Sequence, residues 1–545
     1  MLKPKKMSKV LIVGGKGALE KTINTLYDLK IIHIIDYQGD NDGFEIGRPI
    51  KKTSLFSEYV LSLRSLKDVL NLSDAPVDHE LRDFEFSKDF KTQLDRLEND
   101  VMKRRRKLDD IQILLSDIEK IDDIDEISTL GLSDDVSSIM VDLISSKENL
   151  VKEKKDLEKD LRSINEEYRN FIVTAEDFLS KEIEKAEIPL RLATTENTFI
   201  IEGWIPTEKV SFTQDSLQKA TGEATYVIEL ESLEDDVPTY VETPHVFRPF
   251  DTLVDMFSTP RYEEIAPTLL IAFTFPFFYG YMLGDLGYGI SLFALVMVLG
   301  SKFKTPGWKS LLNMMKYSSY LTMIFGVIYG EFFGMELFHE ILGIETIAGV
   351  HMPLAHRLEE IVPLLIASVA IGVVHITLGY IIGFINVYRM EGLKNAIFEK
   401  ISWLGILYCI IGFLLAPSLT YPLAVVLVVC FILLIKGEGM TALIEVFSLI
   451  SNVVSYTRLL AIGLSSVGIA LAINKLSFEV LMPNGIPGII AGVLLLIFGH
   501  TLNLALGVVA SFLHSLRLHY VEFFNKFYKG GGVKFTPLGV KKEEV

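Results

Sequence analysis

The chain has 545 residues and a formal net charge of −17. Residues 1–250 hold 51 of the 70 acidic and 35 of the 53 basic residues, while the remainder is nearly neutral and strongly apolar. An acidic, water-facing first part argues against nucleic acid as a partner, and the charge split marks two regions that meet near 250–265.

The start is basic, but only Val10 to Val13 follow as an apolar run, too short for a signal peptide. Lys9 to Val13, 18–29 and Ile31 to Ile35 read as strand, helix, strand. The intervening Gly14-Gly15-Lys16-Gly17 lacks both the spacing of a phosphate loop and the third glycine of a dinucleotide fingerprint, so a tight turn is expected. A second unit follows: a strand from Thr198 to Trp204, a helix from Pro206 to Thr221 and a strand from Ala224 to Leu230. Two small α/β lobes are therefore expected, at about 1–60 and 186–250.

Between the lobes lie heptads. Leu94, Leu97, Val101, Leu108, Ile111, Leu115 and Ile118 keep a 3,4 spacing that Arg104 interrupts, and Leu157, Leu161, Ile164, Tyr168, Phe171, Ala175 and Phe178 repeat it. With an acidic, turn-like stretch at 121–135, the pattern predicts an antiparallel coiled-coil hairpin at about 85–185. A solvated spacer and a rigid arm that docks other proteins both fit it.

From residue 261 onward the chain reads as a membrane domain. Eight apolar segments of spanning length are expected near 266–284, 286–301, 311–335, 361–385, 401–417, 419–436, 440–474 and 488–525. One set of loops and ends carries Lys302, Lys304, Lys309, Arg389, Lys394, Lys400, Lys436, Lys526 and Lys529; the opposite set carries Arg357 and Lys475. The positive-inside rule then places the first 260 residues and both termini in the cytoplasm of a multi-pass cell-membrane protein. The last two segments, at about 1.5 Å per residue, reach roughly 50 Å against a core of roughly 30 Å, so they must tilt or project. The expected fold class is mainly α: a polytopic domain of about eight membrane helices, two of them long and tilted, behind an arm of two lobes and a coiled coil. Cys409 and Cys430 lie inside apolar segments without motif spacing, so neither a disulfide nor a metal site is expected. No cofactor-binding or Walker motif occurs, which argues against ATP hydrolysis by this chain.

Arg458 carries the sharpest signal. No other charge lies between Glu445 and Lys475, and a guanidinium at apolar depth can neither shed its proton nor be buried cheaply. Helical spacing puts Ser451, Ser455, Arg458, Ala461, Ile462 and Ser465 on one small or polar face. On the last segment Asn503, Gly507, Ala510, His514 and Arg517 recur at 4,3,4,3. Small residues admit a neighbouring helix and hydroxyls solvate an ion, so two such stripes suggest a hydrated interface. For Arg458 itself, no carboxylate of the same chain stands at helical spacing. Bland readings stand beside these: Arg517 can snorkel to headgroups, and His514 and His519, five apart, suit an interfacial role better than a shared metal. Glu445 fits either an acidic mouth to an ion path or a helix-start charge favoured by the macrodipole. Asp285 and Glu331 fit a structural turn as well as an ion ligand. A secondary transporter would favour an inverted repeat, which is not visible, and a membrane-anchored scaffold gives no reason for two arginine-bearing stripes.

Several motifs carry a resemblance: Glu202-Gly-Trp-Ile-Pro206, Arg248-Pro-Phe250, Pro260-Arg-Tyr-Glu-Glu-Ile-Ala-Pro267, Met282-Leu-Gly-Asp-Leu-Gly-Tyr-Gly289, Tyr329-Gly-Glu-Phe-Phe-Gly334, Ser455-Tyr-Thr-Arg-Leu459 and Leu513-His-Ser-Leu-Arg-Leu-His-Tyr-Val-Glu522. Over nearly its whole length the chain resembles the large membrane stator subunit, subunit a or I, of archaeal and vacuolar-type rotary ATPases. The resemblance implies an arm that binds peripheral-stalk and central-stalk or adaptor subunits. It also implies two half-channels that carry a proton, or sodium, to and from a rotating proteolipid ring. The family's essential arginine falls on Arg458 and its second arginine on Arg517. Glu445 and Ser448 fall near the cytoplasmic half-channel, Asn503 and Gly507 near the external one. Gly507 stands where vacuolar relatives carry a glutamate and Ser466 where they carry a histidine, so the external polar groups must differ here. ATP chemistry would belong to other subunits, and the counter-charge of Arg458 to the ring.

Overall fold

In the computed structural model of the protein, residues 3–39, 43–49, 53–70, 72, 88–122, 134–231, 236–303, 305–338, 346–347, 350–351 and 354–540 are described. The chain divides into two compact units, one of residues 8–231 with 537–541, the other built on 232–536. The division falls upstream of the charge boundary. The reason is packing: Phe250, Leu253 and Val254 join a core with Ile271, Phe275 and Tyr279.

The first unit contains, in order, β1 (Met7–Gly15), α1 (Leu19–Leu29), β2 (His33–Ile34), β3 (Glu45–Ile46), α2 (Thr53–Val69), α3 (Lys88–Asp122), α4 (Asp134–Glu187), β4 (Ala193–Thr194), β5 (Thr198–Pro206), α5 (Val210–Thr221) and β6 (Thr225–Leu230). The two expected lobes are one sheet. Its order is β3-β4-β5-β1-β6, with β2 beside β4 along the same edge of β5. Antiparallel pairing of Lys9 with Leu230 through Gly14 with Thr225 joins the strands read as separate units. Alternation explains the merger: Val10 and Ile12 of β1 and Phe199, Ile201 and Ile205 of β5 point into one core, closed by Ile23 and Leu26 of α1 and Leu217 of α5. Leu538 enters the same core, and its backbone N–H donates to Ile32 O. At Gly14 a Cβ would lie 2.8 Å from the Phe199 ring, so this glycine serves close packing near the end of β1.

α3 and α4 run antiparallel. Phe90 meets Phe171, Arg104 lies 3.7 Å from Asp160, and Lys107 lies 3.9 Å from Glu153. Most of the expected turn at 121–135 is outside the described residues. A third helix, α2, was not expected, and it changes the packing. Its Leu63 and Leu66 share a core with Leu94 and Val101 of α3 and Ile172 and Leu179 of α4.

The second unit is a helical assembly: α6 (Asp251–Phe257), α7 (Thr268–Leu283), α8 (Leu286–Lys302), α9 (Pro306–Tyr329), the hairpin strands β7 (Glu331–Phe332) and β8 (Met335–Glu336), α10 (Ile361–Glu391), α11 (Leu393–Ala396), α12 (Ser402–Leu415), α13 (Thr420–Glu438), α14 (Ala442–Val454), α15 (Arg458–Lys475) and α16 (Gly485–Arg517). A helix stands at each place where an apolar segment was expected. Among the described residues, four helical stretches, Ile361–Glu391, Leu393–Leu415, Pro417–Glu438 and Ala442–Lys526, are long and apolar enough to cross a membrane; α7 and α8 are shorter apolar helices. Apolar side chains point outward along them, with Leu415, Tyr421, Phe447 and Phe498 all more than two-thirds exposed. The penultimate segment is not one uninterrupted α-helix. A tight 3₁₀ turn, Ser455–Thr457, separates α14 from α15, and α16 widens into a π-helical turn at Leu518–Phe523.

Glu176 of α4 accepts from Arg64 Nε at 3.1 Å and Lys67 Nζ at 3.2 Å, both on α2. Burial pushes its carboxyl upward, but the two cations outweigh burial and hold it below the ordinary carboxylate range. A lowered folded-state value contributes stability that is full above the unfolded carboxylate range and is lost as pH falls through the folded value. Glu176→Gln is expected to cost the three-helix region about 1 kcal/mol at neutral pH, with Arg64 half-exposed. The difference from the parent should shrink as pH falls below about 4. Amide hydrogen exchange across α2 measures both.

Candidate functional site: buried charges in the apolar helices

Tyr456 anchors the tight turn. It is fully buried, and its hydroxyl meets His375 Nδ1 of α10 at 2.7 Å. Two residues further along the helix, Arg458 therefore emerges on the other side, beside an open groove. The groove encloses about 590 Å³ and is lined by Phe447, Ile450, Ser451, Val454, Ser455, Thr457, Arg458 and Ala461. Ser455 Oγ donates to Ser451 O at 2.9 Å, and Ser448 Oγ to Glu445 O at 2.8 Å, so these hydroxyl oxygens keep lone pairs free to accept. Glu445, Ser448, Ser451, Ala461 and Ser465 are exposed, and Ser455 and Arg458 are half-buried. The small, polar face read from the sequence is thus the uncovered face of α14 and α15.

The stripe on α16 grades from inside to outside. Asn503 is buried and donates through Nδ2 to Tyr288 Oη and to Ser466 O, each at 2.9 Å. Gly507 is buried where a Cβ would come within 2.7 Å of Leu283, so glycine lets α16 lie against α7. His514 is half-buried and Arg517 exposed. Arg458, His514 and Arg517 lie close enough to repel one another.

One expectation is corrected. Arg458 does have an in-chain counter-charge: its Nη1 lies 3.7 Å from Glu522 Oε1, and the Glu522 side chain is 2% exposed. Glu522 follows Arg458 by far more than a helical repeat, so no local spacing discloses it. It reaches the arginine because α16 runs antiparallel to α15 and its π-helical turn lies beside the tight turn below Arg458. The contact exceeds hydrogen-bonding distance, and neither Arg458 Nη1 nor Glu522 Oε2 has a hydrogen-bond partner among the described residues.

A second correction concerns Arg357, read as a loop charge. It is 2% exposed. Its Nε donates to Glu331 Oε1 at 3.0 Å, its Nη2 to Glu331 Oε2 and Gly284 O, and its Nη1 to Met282 O at 3.3 Å. The guanidinium also stacks 4.6 Å from the Tyr329 ring centre. Gly463 of α15 makes room for it: a Cβ there would lie 2.7 Å from Arg357 Nη1. Asp285 caps α8, accepting from Tyr288 N at 2.9 Å, Phe333 N at 3.1 Å and Gly334 N at 3.0 Å. For Asp285 and Glu331, then, the structural reading describes the contacts.

Sequence reasoning also missed a polar network that links α8, α15 and α16. Tyr288 Oη meets His500 Nδ1 at 2.8 Å, and His500 Nε2 meets Asn474 Oδ1 at 2.9 Å. Asn474 Nδ2 donates to Phe333 O at 2.8 Å, which leaves its oxygen to accept from His500. His500 precedes Asn503 by three residues and Gly507 by seven, so the helical stripe already contained it.

A bundle of long apolar helices with outward-facing apolar side chains, a buried arginine and polar stripes defines a membrane protein. The chain belongs to the V-type ATPase 116kDa subunit family, whose model matches residues 131–344 and 441–540. It is 29% identical to the A-type ATP synthase subunit I of Archaeoglobus fulgidus over 99% of both chains. The counterpart from Halobacterium salinarum is 28% identical over 99% of both. That from Pyrococcus horikoshii is 35% identical over 69% of this chain and 59% of its own.

Removing one member of a buried ion pair strands the other. Arg357→Met is therefore expected to cost about 3–5 kcal/mol, whereas Arg357→Met with Glu331→Leu should recover most of that loss. Thermal unfolding of the two variants in detergent gives the comparison.

Proposed function

We propose that this chain is the membrane stator subunit of an A-type, archaeal rotary ATP synthase or ATPase. It provides two ion half-channels against a rotating ring of proteolipid subunits and couples ion flow to ATP synthesis or hydrolysis. The relatives named as subunit I of A-type ATP synthases support that assignment. ATP chemistry belongs to other subunits of the complex.

One observation carries the channel reading. Arg458 is the only charge between Glu445 and Lys475, and it stands at the wall of a groove whose other lining residues are small, hydroxylated or apolar. A ring carboxylate that has lost its ion is attracted there, and the fixed positive charge bars a direct leak from one half-channel to the other. On this reading Glu445, Ser448, Ser451 and Ser455 line the cytoplasmic route toward Arg458. Ser465, Asn503, Gly507 and His514 belong to the external side, with Arg517 as the second arginine. The transported ion is a proton, with sodium the alternative that the ring's own site decides.

About eight membrane crossings, with the basic loops, the first 260 residues and both termini on the cytoplasmic side of the cell membrane, fit the distribution of lysine and arginine. The helices α2, α3 and α4 form the arm that meets peripheral-stalk and central-stalk or adaptor subunits. Membrane lipid covers the remaining apolar faces.

Arg458→Gln is expected to leave the complex assembled and to abolish ATP-driven ion pumping in reconstituted vesicles. Arg517→Ala should reduce pumping less. Normal pumping by the Arg458 variant would overturn the channel reading, and a larger loss from Arg517→Ala would reverse the ranking of the two arginines.

A further inference from the structure

Among the described residues, Arg357–Glu331 and Arg458–Glu522 each set an arginine against a buried glutamate, and they are built differently. Arg357 grips both oxygens of Glu331 through the Nε–Nη2 edge of its guanidinium and also donates from Nη1 and Nη2 to carbonyl oxygens. Arg458 only approaches Glu522, at 3.7 Å, although Glu522 is almost wholly buried. Charge-assisted hydrogen bonds run at about 2.7–2.9 Å, so this contact is Coulombic without being clamped.

Several polar groups on the neighbouring turns are already engaged elsewhere. Tyr456 Oη is engaged with His375, His519 Nε2 with Thr274 Oγ1, His519 Nδ1 with Ser515 O, and Ser455 Oγ with Ser451 O. Glu522 Oε2 and Arg458 Nη1 are left without hydrogen-bond partners among the described residues. The Arg458 side chain is 19% exposed, and it lines the groove. A guanidinium has two edges that can each meet a carboxylate. Here one is turned toward a buried, loosely held anion and the rest toward open space.

We infer that Glu522 is the resting counter-charge of Arg458, a positioning residue that holds the guanidinium while the groove contains no ionised carboxylate. It yields the arginine when a carboxylate on a partner helix enters. The inference rests on the channel reading above. A clamped pair would not release the arginine, and an unpaired arginine would not release the incoming carboxylate, because either state would leave a bare charge at apolar depth. A loose internal partner keeps the two states close in energy.

The test uses the assembled complex in vesicles, with ATP-driven ion uptake and ATP hydrolysis as readouts. Glu522→Gln is expected to lower uptake by roughly tenfold or more, since the guanidinium then retains each incoming carboxylate. Glu522→Asp keeps the charge but withdraws it, and should slow turnover severalfold with KM for ATP unchanged. Exchanging the two charges, Arg458→Glu with Glu522→Arg, preserves the internal pair and should assemble without pumping. Wild-type turnover in Glu522→Asp overturns the inference, and this variant decides the matter if Glu522→Gln does not assemble. Silence of Arg458→Gln alongside normal pumping by both Glu522 variants would sink this inference alone. Normal pumping by Arg458→Gln would sink the channel reading beneath it.

Discussion

A guanidinium keeps its proton under all conditions a protein meets, so a chain that places one at apolar depth must compensate it continuously. That constraint governs the arrangement around Arg458. It requires a carboxylate on a neighbouring helix, an approach between α15 and α16 close enough to bring that carboxylate near, and an inward anchor at Tyr456 that aims the arginine outward. The glycines and small residues along the two helices follow from the same need. Gly507 sits where α16 touches α7, and Gly463 where α15 passes Arg357. Each lets helices close to a distance at which single charges can be matched.

The two arginine pairs divide the labour between stability and responsiveness. Arg357 ties together the end of α7, the α9–β7 junction and the segment preceding α10, and each of its guanidinium nitrogens has an acceptor. Asp285 does the same with backbone groups, pinning the start of α8 to the hairpin. These contacts form a rigid frame beside α15. Against it, a single under-coordinated pair at the groove can shift without disturbing the packing, because its neighbours are already satisfied among themselves.

Much of this was legible in the sequence. Charge distribution separated the water-facing and apolar parts, hydropathy located the helices of the second unit, and helical spacing found the exposed small face of α14 and α15. The failures share a cause. Strand periodicity identifies strands but not their neighbours, so β1 and β6 were assigned to different lobes although they pair directly. Phe56, Val60, Leu63 and Leu66 lie at helical spacing along α2, but spacing alone does not show that this stripe packs against α3 and α4. Glu522 and Arg357 were visible as residues and invisible as partners, because their counterparts lie on other helices. What one-dimensional spacing reports is a face; what it cannot report is which face meets it.

The placement of Leu538 has a consequence for how the protein is made. The β-sheet unit is begun by β1 and α1, yet its core is completed by Leu538, which follows all of the apolar helices named above in sequence and is made after them. Until then Ile32 lacks a backbone partner that the finished unit supplies, and one side of Tyr27 lies open where Gly539 later packs. The final closure of this unit is therefore a late, long-range event whose loop-closure entropy spans almost the whole polypeptide.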